Sequence, residues 1–162
     1  MNTLRAGLAG MALVLMTAPV AAETSRATVF QTVRGADVVR IMSQASYKPK
    51  LSDDSYGDPL VSVTSGGLIY EIQFYGCETA EPRECTSLMY SAGFDANGSR
   101  SPELMNLWNR DRRFTRAYME EDGDLRLEMD VVVAGGVTED MLGNHVSVWD
   151  EALAEFSSHI GW

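Results

Sequence analysis

The chain has 162 residues, of which 23 are acidic and 13 are Lys or Arg, so its net charge at neutral pH is −10. Because such a surface repels phosphate backbones and lacks the basic stripe that nucleic-acid binding requires, we expect no nucleic-acid partner. The length fits one domain with a single hydrophobic core.

Residues 1–22 have the three-part layout of a secretory signal peptide. Arg5 precedes an apolar run from Ala6 to Met16, and the small residues Val20 and Ala22 flank the expected cleavage point. The run is too short for a membrane span, which needs about 20 apolar residues. We expect a signal peptide at 1–22, a single α+β domain at 23–162, and a periplasmic or secreted protein that does not span the membrane after processing. A retained, uncleaved anchor is the alternative.

The first part of the expected domain predicts a helix and then a β-hairpin. Apolar residues recur at helical spacing from Gly35 to Ala45. Residues 60–64 and 68–75 alternate between apolar and polar side chains, and Ser65-Gly66-Gly67 between them is a turn sequence. This part therefore predicts one helix packed on two paired strands.

The two cysteines, Cys77 and Cys85, lie in the loop that follows this hairpin. An even pair in an exported chain indicates a disulfide. A catalytic redox pair is disfavoured, because catalytic dithiols typically have the spacing Cys-x-x-Cys. We predict a disulfide between Cys77 and Cys85 that staples neighbouring strands.

The remaining elements alternate in the same way. Residues 88–94 predict a third strand, Ser101-Pro102 predicts the start of a helix that runs to about Arg110, and 114–120 and 125–133 predict two more strands. Thr138 is the expected N-cap of a last helix, whose apolar stripe includes Trp149 and continues to Ile160. The predicted order is α-β-β-β-α-β-β-α, an antiparallel β-sheet flanked by helices and thus an α+β fold.

Motifs of catalytic or metal-binding chemistry are missing from the sequence. There is neither a Gly-x-Ser-x-Gly turn nor a phosphate-binding glycine loop. His145 and His159 are separated by about 20 Å of helix, too far to share one metal ion. The acidic loop from Glu120 to Asp124 fails the register of a calcium-binding loop, so a plain hairpin turn is favoured.

One basic cluster stands out in this acidic chain. It consists of Arg110, Arg112, Arg113 and Arg116, and it either pairs with local acids or meets an anionic partner. The many carboxylates leave a second class of function open, a periplasmic hydrolase that uses an acidic residue pair. Trp108 and Trp149 are expected in the core, whereas Trp162 is expected at the surface.

Several short motifs in the C-terminal third carry a family resemblance. They include Asn106-Leu107-Trp108-Asn109, Arg116-Ala117-Tyr118, Asp122-Gly123-Asp124-Leu125 and Gly135-Gly136-Val137. With these motifs the chain resembles the YbjN-like family of bacterial sensory transduction regulators. The resemblance implies a fold similar to type III secretion chaperones and implies no active site.

We therefore expect a non-enzymatic protein, without catalytic, cofactor or metal residues. It would hold a protein or peptide partner on its sheet or on a helix face, either alone or as a homodimer. Neither the identity of that partner nor the face that binds it follows from the sequence.

Overall fold

The computed structural model describes residues 28–96 and 100–162. The signal peptide predicted at 1–22 lies outside these residues and stays a prediction. Within them, no helix is both long and apolar enough to cross a membrane. Three helices occur in the described part of the chain: α1 (Gly35–Gln44), α2 (Pro102–Asp111) and α3 (Glu139–Ile160).

The described residues form two antiparallel sheets. The larger sheet has six strands in the order β2-β3-β4-β5-β7-β6, so β2 and β6 are its edges, and a short ribbon pairs β1 with β8. The strands are β1 (Val29–Phe30), β2 (Lys50–Asp53), β3 (Pro59–Ser65), β4 (Leu68–Tyr75), β5 (Ser87–Phe94), β6 (Arg116–Met119), β7 (Leu125–Val132) and β8 (Val137–Thr138).

The predicted α+β class, with its antiparallel sheet and helices, is confirmed. Three short strands, β1, β2 and β8, were not predicted. All four residues of β2 are exposed, so that strand has no alternation of buried and exposed side chains to reveal it. One predicted strand is shorter than expected: β6 begins at Arg116 because Phe114 has φ +70°, which is incompatible with an extended strand.

The hydrophobic core lies between the helices and one face of the large sheet. Trp149 of α3 packs against Tyr70 and Tyr90, with ring centroids 5.5 and 5.6 Å apart, and Trp108 of α2 contacts Phe156 at 5.0 Å. Both tryptophans are buried, as predicted. None of the described helices packs on the other face of the sheet. The residues of that face alternate along each strand with the buried ones, as the period of two requires.

The ends of α3 follow its sequence signals. The Thr138 hydroxyl accepts a hydrogen bond from the Met141 N–H at 3.2 Å, and Gly161 ends the helix in the left-handed conformation that glycine adopts without strain. Ser101 has extended N-cap backbone at the start of α2, but its side chain makes no capping hydrogen bond there. The start of the helix at Ser101-Pro102 was therefore predicted correctly.

Candidate functional site

The cysteine loop joins the sheet to the segment that leads into α1. Cys77 and Cys85 are in disulfide geometry between β4 and β5. Val33 and Cys85 exchange two backbone hydrogen bonds of 2.9 Å, and Glu84 accepts hydrogen bonds from Thr32 at 2.6 Å and from Arg34 Nε at 2.9 Å. These contacts lower the pKa of the Glu84 carboxyl, Thr32 contributing most. The loop is therefore a structural anchor.

The predicted basic cluster is divided among different contacts. Arg110 pairs with the adjacent Asp111 at 2.7 Å. Arg112 pairs with Glu155 of α3 at 3.1 Å. These two arginines thus bind local acids, as the alternative interpretation held. The remaining two, Arg113 and Arg116, lie at the start of β6 and are described below.

The two histidines contact backbone carbonyl groups, and the acidic loop is a turn. His145 Nδ1 lies 2.6 Å from the Met141 carbonyl oxygen, and His159 Nε2 lies 2.9 Å from the Leu104 carbonyl oxygen, so each ring is held by backbone. Residues 120–124 form the hairpin turn between β6 and β7. Within the described ranges, no group of three or more His, Cys, Asp or Glu side chains could hold a metal ion.

Helix α2 covers the outer edge of β6. The Asn109 side-chain amide donates to the Ala117 carbonyl oxygen at 2.8 Å, and its carbonyl oxygen accepts from the Ala117 N–H at 2.8 Å. One asparagine therefore satisfies both backbone groups that Ala117 directs away from β7. An edge protected in this way is unavailable to another strand.

The second half of β7 has no such cover. Strand β6 pairs only with Leu125–Glu128, so among the described strands Met129–Val132 pairs with β5 alone. Val133 directs its N–H to the Thr86 oxygen on the β5 side. Because successive residues of a strand point their amide groups to opposite sides, Asp130 and Val132 direct theirs to the uncovered side.

A groove of about 210 Å³ lies along this uncovered edge. We call it the edge groove. Met141, His145 and Val148 line its α3 side, spaced so that they share one face of the helix. Phe114, Met129, Asp130 and Asn144 complete the lining. The groove exists because β6 begins only at Arg116, which pairs with Glu128, and so does not cover Met129–Val132 of β7.

Phe114 forms one wall of the edge groove. Its side chain is 65% exposed, and the Arg113 guanidinium lies over its ring at 4.7 Å from the centroid. Among the described residues Arg113 forms no ion pair, unlike Arg110, Arg112 and Arg116. Phe114 also lines a neighbouring pocket, and Arg113 lines that pocket and not the edge groove itself. A cation without an ion pair therefore stands beside the exposed ring that forms the wall of the edge groove.

A polar cluster anchors the other side of α3. The Asp150 carboxylate accepts hydrogen bonds from the hydroxyls of Tyr47 and Ser65, the latter at 3.1 Å. Burial and this carboxylate together raise the pKa of Tyr47 to about 12. Burial, with Asp150 as the second cause, also raises the pKa of Tyr70. These contacts hold α3 on the sheet on the side away from the edge groove.

The helix-free face of the sheet contains a buried carboxylate. Glu128 is 4% exposed and is held by Arg116 Nη2 at 2.6 Å and by the Tyr118 hydroxyl at 3.0 Å. Asp130, the next residue on that face, lies 3.9 Å from Arg116 Nη1. These two carboxylates share one arginine on an open surface, an arrangement typical of structural ion pairing.

Sequence reasoning did not find the edge groove. The groove follows from the difference in length between the short β6 and the long β7. The sequence prediction of a strand at 114–120 was too long and therefore hid this difference. The arginine cluster did point to this region, since Arg113 and Arg116 flank Phe114.

Comparison with known proteins agrees with the architecture. No curated protein matches this chain at a significant level. The model of the YbjN family, described as "Putative bacterial sensory transduction regulator", matches residues 35–162. That range contains all three helices and the whole six-stranded sheet. The chain belongs to the YbjN family.

Proposed function

We propose that this protein is an exported, non-enzymatic regulator that acts by binding another protein at the edge groove. Family membership supports a regulatory role. The sequence of residues 1–22 supports export, and the cysteine pair is consistent with an oxidising compartment.

The edge groove beside an unpaired strand carries this proposal. An open strand edge is a ready template for another chain, and proteins usually protect it. Here α2 protects β6, whereas the amide groups of Asp130 and Val132 stay open beside Phe114, which is 65% exposed. Exposed apolar surface next to an open edge is typical of a protein-binding site.

Site-specific photo-crosslinking in the native cell tests the binding site. A photoreactive amino acid at position 114 should yield a defined crosslinked protein. The same group at position 56, where Tyr56 is 84% exposed in the turn between β2 and β3, should not. A third variant at position 69, where Ile69 is 68% exposed on the helix-free face, separates the groove from the sheet surface. Absence of a crosslink from 114, or equal crosslinks from all three positions, would contradict the proposal.

Export is tested separately by cell fractionation and thiol alkylation. We expect the mature chain in the periplasm or medium, starting near Glu23, with Cys77 and Cys85 protected from alkylation until a reductant is added. Cytoplasmic protein with two reactive thiols would contradict export without affecting the groove.

A further inference from the structure

We infer that the occupant of the edge groove is an extended segment of a partner protein that adds to β7 as a strand, with an acidic residue near Arg113. This inference rests on the proposed function and specifies the chemistry of its partner. The backbone, the groove and the charge each supply one part of it.

The backbone supplies the hydrogen bonds. Met129–Val132 has the register of a central strand on its β5 side, and none of the described strands pairs with it on the other side. Asp130 and Val132 offer two N–H and two C=O groups there, which is the pattern that an added strand pairs with. Val132 is 69% exposed, so its side chain does not block the approach.

The groove supplies the side-chain contacts. In an added strand, every second side chain would point toward α3, as the side chain of Met129 does within β7. They would meet Met141 and Val148, which lie on the groove side of the helix. Met141 is 45% exposed, so an apolar side chain from the partner would remove apolar surface from water. The partner should therefore alternate apolar with polar residues.

The charge supplies the preference for an acid. Arg113 stands over Phe114 without an acidic partner among the described residues, while the protein as a whole carries a net charge of −10. A carboxylate that reached Arg113 would gain an ion pair that the chain itself does not provide. A lysine placed beside Arg113 would instead be repelled by it.

The other sheet edge does not offer the same site. Strand β2 is also unpaired on one side, but Lys48, Pro49 and Lys50 lead into it. Lysine and proline are residues that proteins use to protect edges. A pocket that includes Leu51 and Asp53 of β2 also contains Arg34 and Arg83, and both of these arginines already pair with acids of this chain.

Synthetic peptides test the inference on the mature protein. The probe is a six-residue peptide of alternating Val and Thr that carries one terminal Glu. A second peptide has Lys in place of Glu, and a third is N-methylated at the amides that would pair with β7. We expect N-methylation to weaken binding about tenfold or more, because it removes at least one backbone hydrogen bond and clashes with the edge. The Glu peptide should bind better than the Lys peptide, and Arg113→Glu should reverse that preference.

Two protein variants address the same point from the other side. Val132→Pro removes an N–H that points away from β5, so the sheet should still form while peptide binding falls about tenfold or more. Ile69→Asp on the helix-free face is the control and should leave binding unchanged. If Val132→Pro fails to fold, the N-methylated peptide still decides the question.

The remaining outcomes separate the two proposals. Equal binding of the methylated and unmethylated peptides, or no binding of any peptide, would overturn strand addition. If position 114 still crosslinked a protein, the proposal of protein binding at the edge groove would be retained without strand addition. A dimer of this chain that is lost in Val132→Pro would also overturn the inference, because the occupant would be a second copy. No crosslink from position 114 would instead remove the proposed function itself.

Discussion

The two halves of strand β7 have the same alternation but different surroundings. Leu125–Glu128 is paired on both sides, and the strand that covers it is itself protected by Asn109. Met129–Val132 is paired on one side only and borders the edge groove. The difference comes from one local feature, the left-handed backbone of Phe114, because of which β6 begins only at Arg116.

This comparison shows how a fold can protect one edge and leave another open. A side-chain amide on a neighbouring helix is sufficient to occupy an edge residue such as Ala117. Where no such group lies in place, backbone hydrogen-bonding capacity remains for a partner. The covered half of β7 contributes to stability, and the open half is free to contribute to binding.

The largest expected effect is a loss of stability when a side chain on the buried side of α3 is removed, compared with one on its groove side. Trp149→Ala removes a fully buried ring from contact with Tyr70 and Tyr90, and we expect a loss of about 3–5 kcal/mol of unfolding free energy. Val148 is the residue before Trp149 and lies on the groove side of α3. Val148→Ala should cost about 1 kcal/mol or less. Denaturant unfolding of both variants measures this. Equal losses would mean that the groove side is also part of the core.

The next largest effect is expected when the side chain that covers the edge of β6 is removed. Asn109→Ala leaves the buried N–H and C=O of Ala117 without their partner, and we expect a loss of about 1–3 kcal/mol. Asn106→Ala is the matched control, because Asn106 is exposed on the same helix and makes no side-chain hydrogen bond within the described part of the chain. Urea unfolding curves of the two variants should differ, and coincident curves would refute the capping role of Asn109.

A smaller effect is expected at the ion pair between β6 and β7. Arg116→Ala leaves the Glu128 carboxylate buried without a cation, at a cost of about 1–2 kcal/mol. Arg126→Ala breaks the pair with Glu120, whose carboxylate is more exposed than that of Glu128, and should cost less than about 1 kcal/mol. Adding Glu128→Gln to Arg116→Ala should restore part of the loss in thermal or chemical unfolding. A double variant as unstable as the single one would argue against a penalty from the buried charge.

The smallest effect depends on pH and concerns the anchored side of α3. The pKa of Tyr47 is about 12 in the folded chain and near 10 when unfolded, so its contribution is complete below pH 10 and is lost as the pH rises toward 12. Tyr47→Phe should therefore lose less stability than the native chain between pH 9 and 11, measured by urea unfolding at each pH. Tyr56→Phe, in an exposed turn, should keep the native dependence. Parallel profiles for all three proteins would contradict this role of Tyr47.

Periodic side chains made much of the fold predictable. The stripe from Leu142 to Ile160 indicated α3, and the alternation in 68–75 gave the bounds of β4 directly. Strand β2 was missed because all its side chains are exposed, and β1 and β8 were missed because a two-residue strand has no period.

The site was less accessible to sequence reasoning than the fold. It depends on where a strand is absent and on the positive φ of Phe114, a residue type that rarely adopts this conformation. The sequence predicted that the arginine cluster either pairs with local acids or meets an anionic partner, and Arg110 and Arg112 do pair with local acids. Which of the arginines forms no ion pair within the described residues follows only from the tertiary structure.

Amide hydrogen exchange of the mature protein tests the open edge most directly. The N–H groups of Met129 and Val131, which face β5, and of Glu128, which faces β6, should be protected. Those of Asp130 and Val132 should exchange about tenfold faster or more and become protected when the unmethylated peptide is added. Uniform slow exchange from Glu128 to Val132 in the free protein would show that this edge is already covered and would contradict the groove as a binding site.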